Sequence, residues 1–120
     1  MLNLKERIRK ARHKRVRKRI ISSPDCPRVS VHRSLKNLYI QVIDDQKANT
    51  LFSLCTLQKE IKDKLGYGGN VAVARLLGEV AAEKLKQKGI TKIVFDRGGY
   101  LFHGRIKAVA EGLRKGGIVF

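Results

Sequence analysis

Ile93-Val94-Phe95-Asp96-Arg97-Gly98-Gly99-Tyr100-Leu101-Phe102-His103-Gly104-Arg105-Ile106-Lys107 is the stretch around which the chain is organised. Three consecutive apolar residues, Ile93 to Phe95, predict a short strand buried on both faces. The apolar run stops at Asp96, and paired glycines follow; they allow positive φ and a close approach of the backbone to another segment. From Gly104 onward, Ile106, Val109, Ala110 and Leu113 recur at i, i+3, i+4 and i+7, the apolar stripe of a helix. A strand, a glycine-hinged loop and a helix therefore succeed one another. The loop carries Arg97, Tyr100, His103 and Arg105, so guanidiniums, an imidazole, a phenol and the open amides of a helix start converge on it. Such a convergence suits a polyanion, with the amides of Gly98, Gly99 and Gly104 as backbone phosphate ligands.

The charge balance points the same way. The 120 residues hold 27 Lys and Arg against 10 Asp and Glu, a formal net charge of +17. Residues 1–21 alone contain ten of those cations (Lys5, Arg7, Arg9, Lys10, Arg12, Lys14, Arg15, Arg17, Lys18 and Arg19), together with His13 and a single acid, Glu6. Excess of this density is self-repelling until a polyanion neutralises it, and nucleic acid is the usual partner; an anionic membrane surface is the competing one. The chain divides on this basis into a basic arm, 1–21, and a globular domain, 22–120. In the arm, like charges at i, i+4 oppose helix formation, so it is expected to be frayed or disordered alone and helical on RNA.

Beyond the arm, Ser22 to Pro27 reads as a proline-bearing linker. Arg28 to Ser34 alternates, placing Val29 and Val31 inward and Arg28, Ser30 and His32 on a polar face; Arg33 and Lys36 extend that basic surface into a turn at Leu35 to Asn37. Leu38 to Ile43 and Thr50 to Thr56 supply two further strands joined by a turn at Asp44 to Lys47, an antiparallel meander. The lysine-rich stretch Gln58 to Gly69 is polar, with room for one helical turn at Glu60 to Leu65. Asn70 reads as the N-cap of a helix whose stripe is Val73, Leu77, Val80 and Ala81 and which Gly89 closes. After that crossover the strand at Ile93 is expected to lie parallel to a neighbour. Ile118-Val119-Phe120 should dock on the core. In the 93–107 loop, alternation and the tolerance of tyrosine for water put Phe102 inside and Tyr100 outside.

Catalytic readings are weak. Asp44, Asp45, Glu79 and Asp96 could be assembled into a two-metal nuclease site, but their spacing lacks specificity: Asp44-Asp45 suits a turn, and Asp96 can accept amides of its own loop. No nucleophile elbow, zinc-ligand spacing or phosphate-loop fingerprint accompanies His13, His32, His103, Cys26 or Cys55. No cofactor, metal or small-molecule substrate is expected. The two cysteines have no metal spacing and read as reduced thiols of a cytoplasmic chain. No apolar run approaches the roughly 18 residues of a membrane span, and the Arg-rich N-terminus lacks the serines of a transit peptide.

The quoted loop, together with Pro27 to Ser34, Tyr39 to Asp45 and Gly69-Asn70, resembles the bacterial large-subunit ribosomal protein eighteen family over nearly the whole chain. The resemblance implies an α/β fold, a three-layer sandwich with a small mixed sheet preceded by a basic helical arm. It implies a structural constituent of the large ribosomal subunit in the cytoplasm, without catalytic activity. The partners it implies are 5S rRNA, 23S rRNA, large-subunit ribosomal protein five and other proteins of the central protuberance. Carried over by position, the RNA-facing residues are the arm cations with His13, then Arg28, His32, Arg33, Lys36, Arg97, Gly98, Gly99, Tyr100, His103, Gly104, Arg105 and Lys107. Leu35 departs from the polar turn residue usual in the family, and His32 stands where phenylalanine also occurs.

Overall fold

The polar–apolar alternation from Arg28 onward builds the central element of a four-stranded sheet. The computed structural model describes residues 3–17, 26–58, 61 and 70–120, with side chains of 15–17 left aside. Its elements are α1 (Leu4–Arg17), β1 (Arg28–Arg33), β2 (Leu38–Asp44), β3 (Asn49–Cys55), α2 (Val71–Gln87), β4 (Val94–Asp96) and α3 (Gly104–Lys115). The strand order is β3-β2-β1-β4, with β1 antiparallel to β2, β2 antiparallel to β3, and β1 parallel to β4. The meander and the parallel strand after a helical crossover are thus present. Expectations for the linker at 22–25 and for 59–69 apart from Ile61 lie outside the described residues. Ile61 itself is helical and fully buried, a core residue that the lysine-rich composition of the stretch does not signal.

Val29, Val31, Ile40, Val42 and Leu54 face one side of the sheet and are buried there with Val73, Leu77, Ala81 and Leu85 of α2 and Ile106, Val109 and Leu113 of α3. Every residue of the expected α3 stripe is buried, and of the α2 stripe only Val80 is half-exposed. Asn70 caps α2 as its side chain accepts the Val73 amide at 2.9 Å. The two helices cross at a contact that only glycine permits: a Cβ on Gly78 would sit 2.2 Å from the Val109 carbonyl oxygen, and one on Gly112 2.1 Å from that of Arg75. The C-terminal tail docks as expected. Val119 bridges Lys92, Ile118 is buried, and the Phe120 ring stacks on Phe95 at 5.4 Å.

Two expectations for the quoted stretch change. Val94 and Phe95 are half-exposed rather than buried on both faces, because β4 is an edge strand paired only with β1. Tyr100 is the buried residue and Phe102 the exposed one, at 7% and 42% relative exposure. The Tyr100 hydroxyl lies 3.2 Å from the Arg33 carbonyl oxygen and 3.1 Å from His32 Nδ1, so its polar tip is satisfied inside. Phe102 sits edge-on to Phe95 at the surface.

The opposite face of the sheet carries Ser30 and Asp96, which are register partners, along with Arg28, His32, Tyr39 and Gln41. At the Asp96 end of this face α1 meets the loop after β4, through His13 on Asp96 and Arg9 and Arg12 on the Gly98 and Gly99 carbonyls. The arm is a docked helix over Leu4–Arg17 in this structure.

Candidate nucleic-acid interface

Asp96 is the fixed point of this face. Its carboxylate is fully buried and takes the Arg28 guanidinium at 2.7 Å, His13 Nε2 at 2.9 Å and the Gly98 amide at 2.9 Å. Burial alone would raise its pKa, but the hydrogen bonds from His13, Gly98 and Arg28 prevail and hold it below the ordinary carboxylate range. Arg28 forks onto Asp45 with two bonds of 3.0 Å and is itself only 6% exposed. Burial works against its charge, yet the two carboxylates push its pKa up. Arg28 therefore lies on the expected face but turns inward to two acids, rather than outward to a ligand.

The paired glycines open the loop for α1. Gly98 and Gly99 have φ of +67° and +80°. A Cβ on Gly99 would lie 2.3 Å from the Arg9 carbonyl oxygen and 2.8 Å from the His13 amide nitrogen, and one on Gly98 2.3 Å from the Val31 carbonyl oxygen. The arm consequently rests on bare backbone. Arg9 donates to the Gly98 carbonyl at 2.9 Å and Arg12 to that of Gly99 at 3.2 Å. This corrects one expectation: the Gly98 amide is engaged by Asp96, and both glycines are buried, so neither forms an open phosphate nest. Gly104 has a φ of +56° and no atom within 4 Å of where a Cβ would stand, and it remains open at the start of α3.

Tyr100 organises the cations. Arg9 and Arg33 hold their guanidinium carbons 4.8 and 4.9 Å from its ring centroid. With so little surface, its ring offers no stacking platform, and the outward, RNA-facing placement expected for it does not hold. His32 remains exposed beside Tyr39 and Tyr100. Burial first, then the charge of Arg9, lowers its pKa, so the neutral imidazole is favoured. Arg105 reaches the Ser34 and Leu35 carbonyls at 3.1 and 3.4 Å, clasping the β1–β2 turn to the start of α3. Lys36, His103 and Lys107 are exposed, and Arg97 is half-exposed without an ion pair among the described residues. Of the arm cations, Lys5, Arg7, Lys10 and Lys14 are exposed; Lys18, Arg19 and the side chains of Arg15 and Arg17 lie outside the described residues.

Between α1 and the loop is a cleft of about 560 Å³ lined by Lys5, Arg9, Arg12, Arg33 and His103, with Glu6 its only acid among the described residues and Ile8 and Leu101 its apolar walls. The acids considered for a nuclease have other work: Asp44 accepts the Gln46 and Lys47 amides of its turn, Glu79 pairs with Lys115, and Asp96 is enclosed. No group of three His, Cys, Asp or Glu among the described residues could hold a metal.

Fold and site define a small α/β domain with one densely cationic face. The family model describing ribosomal L18 of archaea, bacteria, mitochondria and chloroplasts matches residues 3–120. Relatives named large ribosomal subunit protein uL18 include that of Acetivibrio thermocellus, 53% identical over 95% of this chain and 92% of its own. The protein of that name from Dictyoglomus thermophilum is 47% identical over 97% of this chain and 95% of its own. That of Koribacter versatilis is 53% identical over 90% and 89%. The chain belongs to the ribosomal L18 family. It is a structural protein of the large subunit of the cytoplasmic ribosome, not an enzyme, and its partners are ribosomal RNA and the ribosome around it.

Proposed function

We propose that this chain binds 5S rRNA and fastens it to 23S rRNA in the central protuberance, beside large-subunit ribosomal protein five. The observation that carries the reading is the convergence of Arg9, Arg12 and Arg33 on one cleft at the glycine-hinged loop, which exposed Lys5 and His103 also line; Lys36 and Lys107 are exposed cations that add to the basic surface. Guanidiniums are suited to phosphate because their forked donors match its oxygens. Lys5 and the open helix start at Gly104 belong to the same cleft, half-exposed Arg97 adds a cation in the same loop, and the outer arm cations Arg7, Lys10 and Lys14 form a second, sequence-independent strip. Arg28, Gly98, Gly99 and Tyr100 support this face from beneath: they hold the loop and seat the arm, while the exposed cations meet RNA.

The test is a filter-binding titration of the full chain with 5S rRNA, competed by tRNA at equal mass. Affinity should favour 5S rRNA, and with about 6–10 phosphates neutralised it should fall roughly 10³- to 10⁵-fold between about 50 and 200 mM salt. Equal competition by tRNA would reduce the protein to a general polyanion binder and end the 5S reading.

A further inference from the structure

The arm–loop cleft combines two properties that backbone phosphate binding alone does not need together. It is cationic, yet its walls include uncovered apolar side chains: Ile8 is 48% exposed and Leu101 63%. A duplex presents phosphates and keeps its base faces stacked, so it has nothing to set against them. A nucleotide whose base has left the stack supplies both an apolar face and a charge. The volume of about 560 Å³ falls in the range of small-ligand sites, about 300–1,000 Å³, and admits one nucleotide. The guanidiniums are also held in advance. Arg9 is tied to the Gly98 carbonyl, Arg12 to that of Gly99, and Arg33 lies over the Tyr100 ring, so little side-chain freedom is left to lose on binding.

We propose that this cleft receives one unpaired nucleobase of the bound RNA, its face against Ile8, Leu101 and the Arg33 guanidinium, and its phosphate on Arg9 and Arg12. The inference rests on the RNA-binding reading and adds to it a base-accepting subsite. It commits the docked arm to being one wall of the receptor rather than a separate tether.

Methyl-labelled full chain titrated with a single-stranded RNA hexamer, and with a hexamer of identical backbone but abasic sugars, tests it. The Ile8 and Leu101 methyl resonances should shift saturably with the first, and the abasic chain should bind about ten-fold more weakly, the scale of one lost base stack. Equal affinities and equal methyl shifts for both chains would overturn the proposal, as would methyls that respond to neither. Leu101→Ser keeps every charge and alters an exposed side chain. It should remove most of the discrimination between the two chains while leaving the salt dependence unchanged; discrimination at the wild-type level would overturn the proposal. Failure of the 5S reading would look different: tRNA would compete as well as 5S rRNA while the methyls still told the two hexamers apart.

Discussion

His13 on the arm and Asp96 at the end of β4 meet at 2.9 Å, and the same Asp96 oxygen accepts from Arg28 at 2.7 Å. One buried carboxylate thus joins three parts of the chain: the arm, the first strand of the sheet, and the loop that follows β4. In a protein of net charge +17, a buried acid at this junction allows cationic segments to lie together. Removing it leaves Arg28 buried with Asp45 as its remaining partner. Asp96→Ala should therefore destabilise the domain by about 3 kcal/mol, measured by urea unfolding, because breaking a buried pair strands the other charge. A cost near zero would mean that Asp45 alone satisfies Arg28.

The two loop glycines should separate under mutation, although both have positive φ. A methyl at Gly98 meets the β1 backbone, whereas at Gly99 it meets that of α1. Gly98→Ala should lower the unfolding temperature of the whole domain. Gly99→Ala should act chiefly on the arm, exposing the Lys and Arg peptide bonds of residues 5–14 to trypsin while shifting the midpoint of domain unfolding much less. Limited proteolysis followed by mass spectrometry distinguishes them, and equal arm cleavage in both variants would refute the assignment.

The two core helices and the antiparallel meander follow from local patterns in the chain: the α3 stripe, the Asn70 cap and the alternation of β1 are each set by residues within one element, whereas the pairing of β4 with β1 is not. The side chains that depart from expectation depend on partners far away in sequence. Alternation puts Arg28 on the correct face, but its two acids lie 17 and 68 positions on, and no local rule turns the guanidinium toward them. Tyr100 is buried because Arg9 and Arg33 close over its ring and β1 satisfies its hydroxyl. A rule that ranks tyrosine as more exposed than phenylalanine cannot contain that. The glycine pair signals a close approach without naming what approaches, which proves to be β1 at Gly98 and the arm at Gly99.

Tyr100→Phe tests this structural role. It keeps the ring between the guanidiniums and removes the hydroxyl bonded at β1, and should cost about 1 kcal/mol of stability. RNA affinity should stay within about two-fold of wild type, since the phenol lies beneath the binding face; a large loss of affinity in a stable variant would put the hydroxyl in contact with RNA.

Salt dependence should separate the outer arm from the loop. Lys10 and Lys14 are exposed on α1. Lys10→Gln and Lys14→Gln should each reduce the slope of log affinity against log salt by about 1 and weaken all RNAs alike. Arg97→Ala should instead cost about 1–3 kcal/mol of 5S binding and narrow the preference over tRNA. Titrations at four salt concentrations decide it, and the reverse pattern would exchange the two roles.

Acidification provides the last test, in two windows. His32 has a lowered pKa in the folded chain, so between its folded value and the ordinary histidine value, about 6.5, the unfolded chain binds more protons. Stability should begin to fall as pH drops below about 6.5 and level off once folded His32 is also protonated. Asp96, likewise depressed, contributes stability that is complete above the ordinary carboxylate pKa, about 3.9, and is lost as pH falls toward its folded value. Both groups favour the fold at neutral pH, and the two losses are separated on the pH axis. His32→Phe should abolish the upper decline and leave the lower one, because the imidazole is the only group removed. Urea midpoints measured at half-unit steps from pH 3 to 8 read both; an upper decline that persists in His32→Phe would assign it to another group.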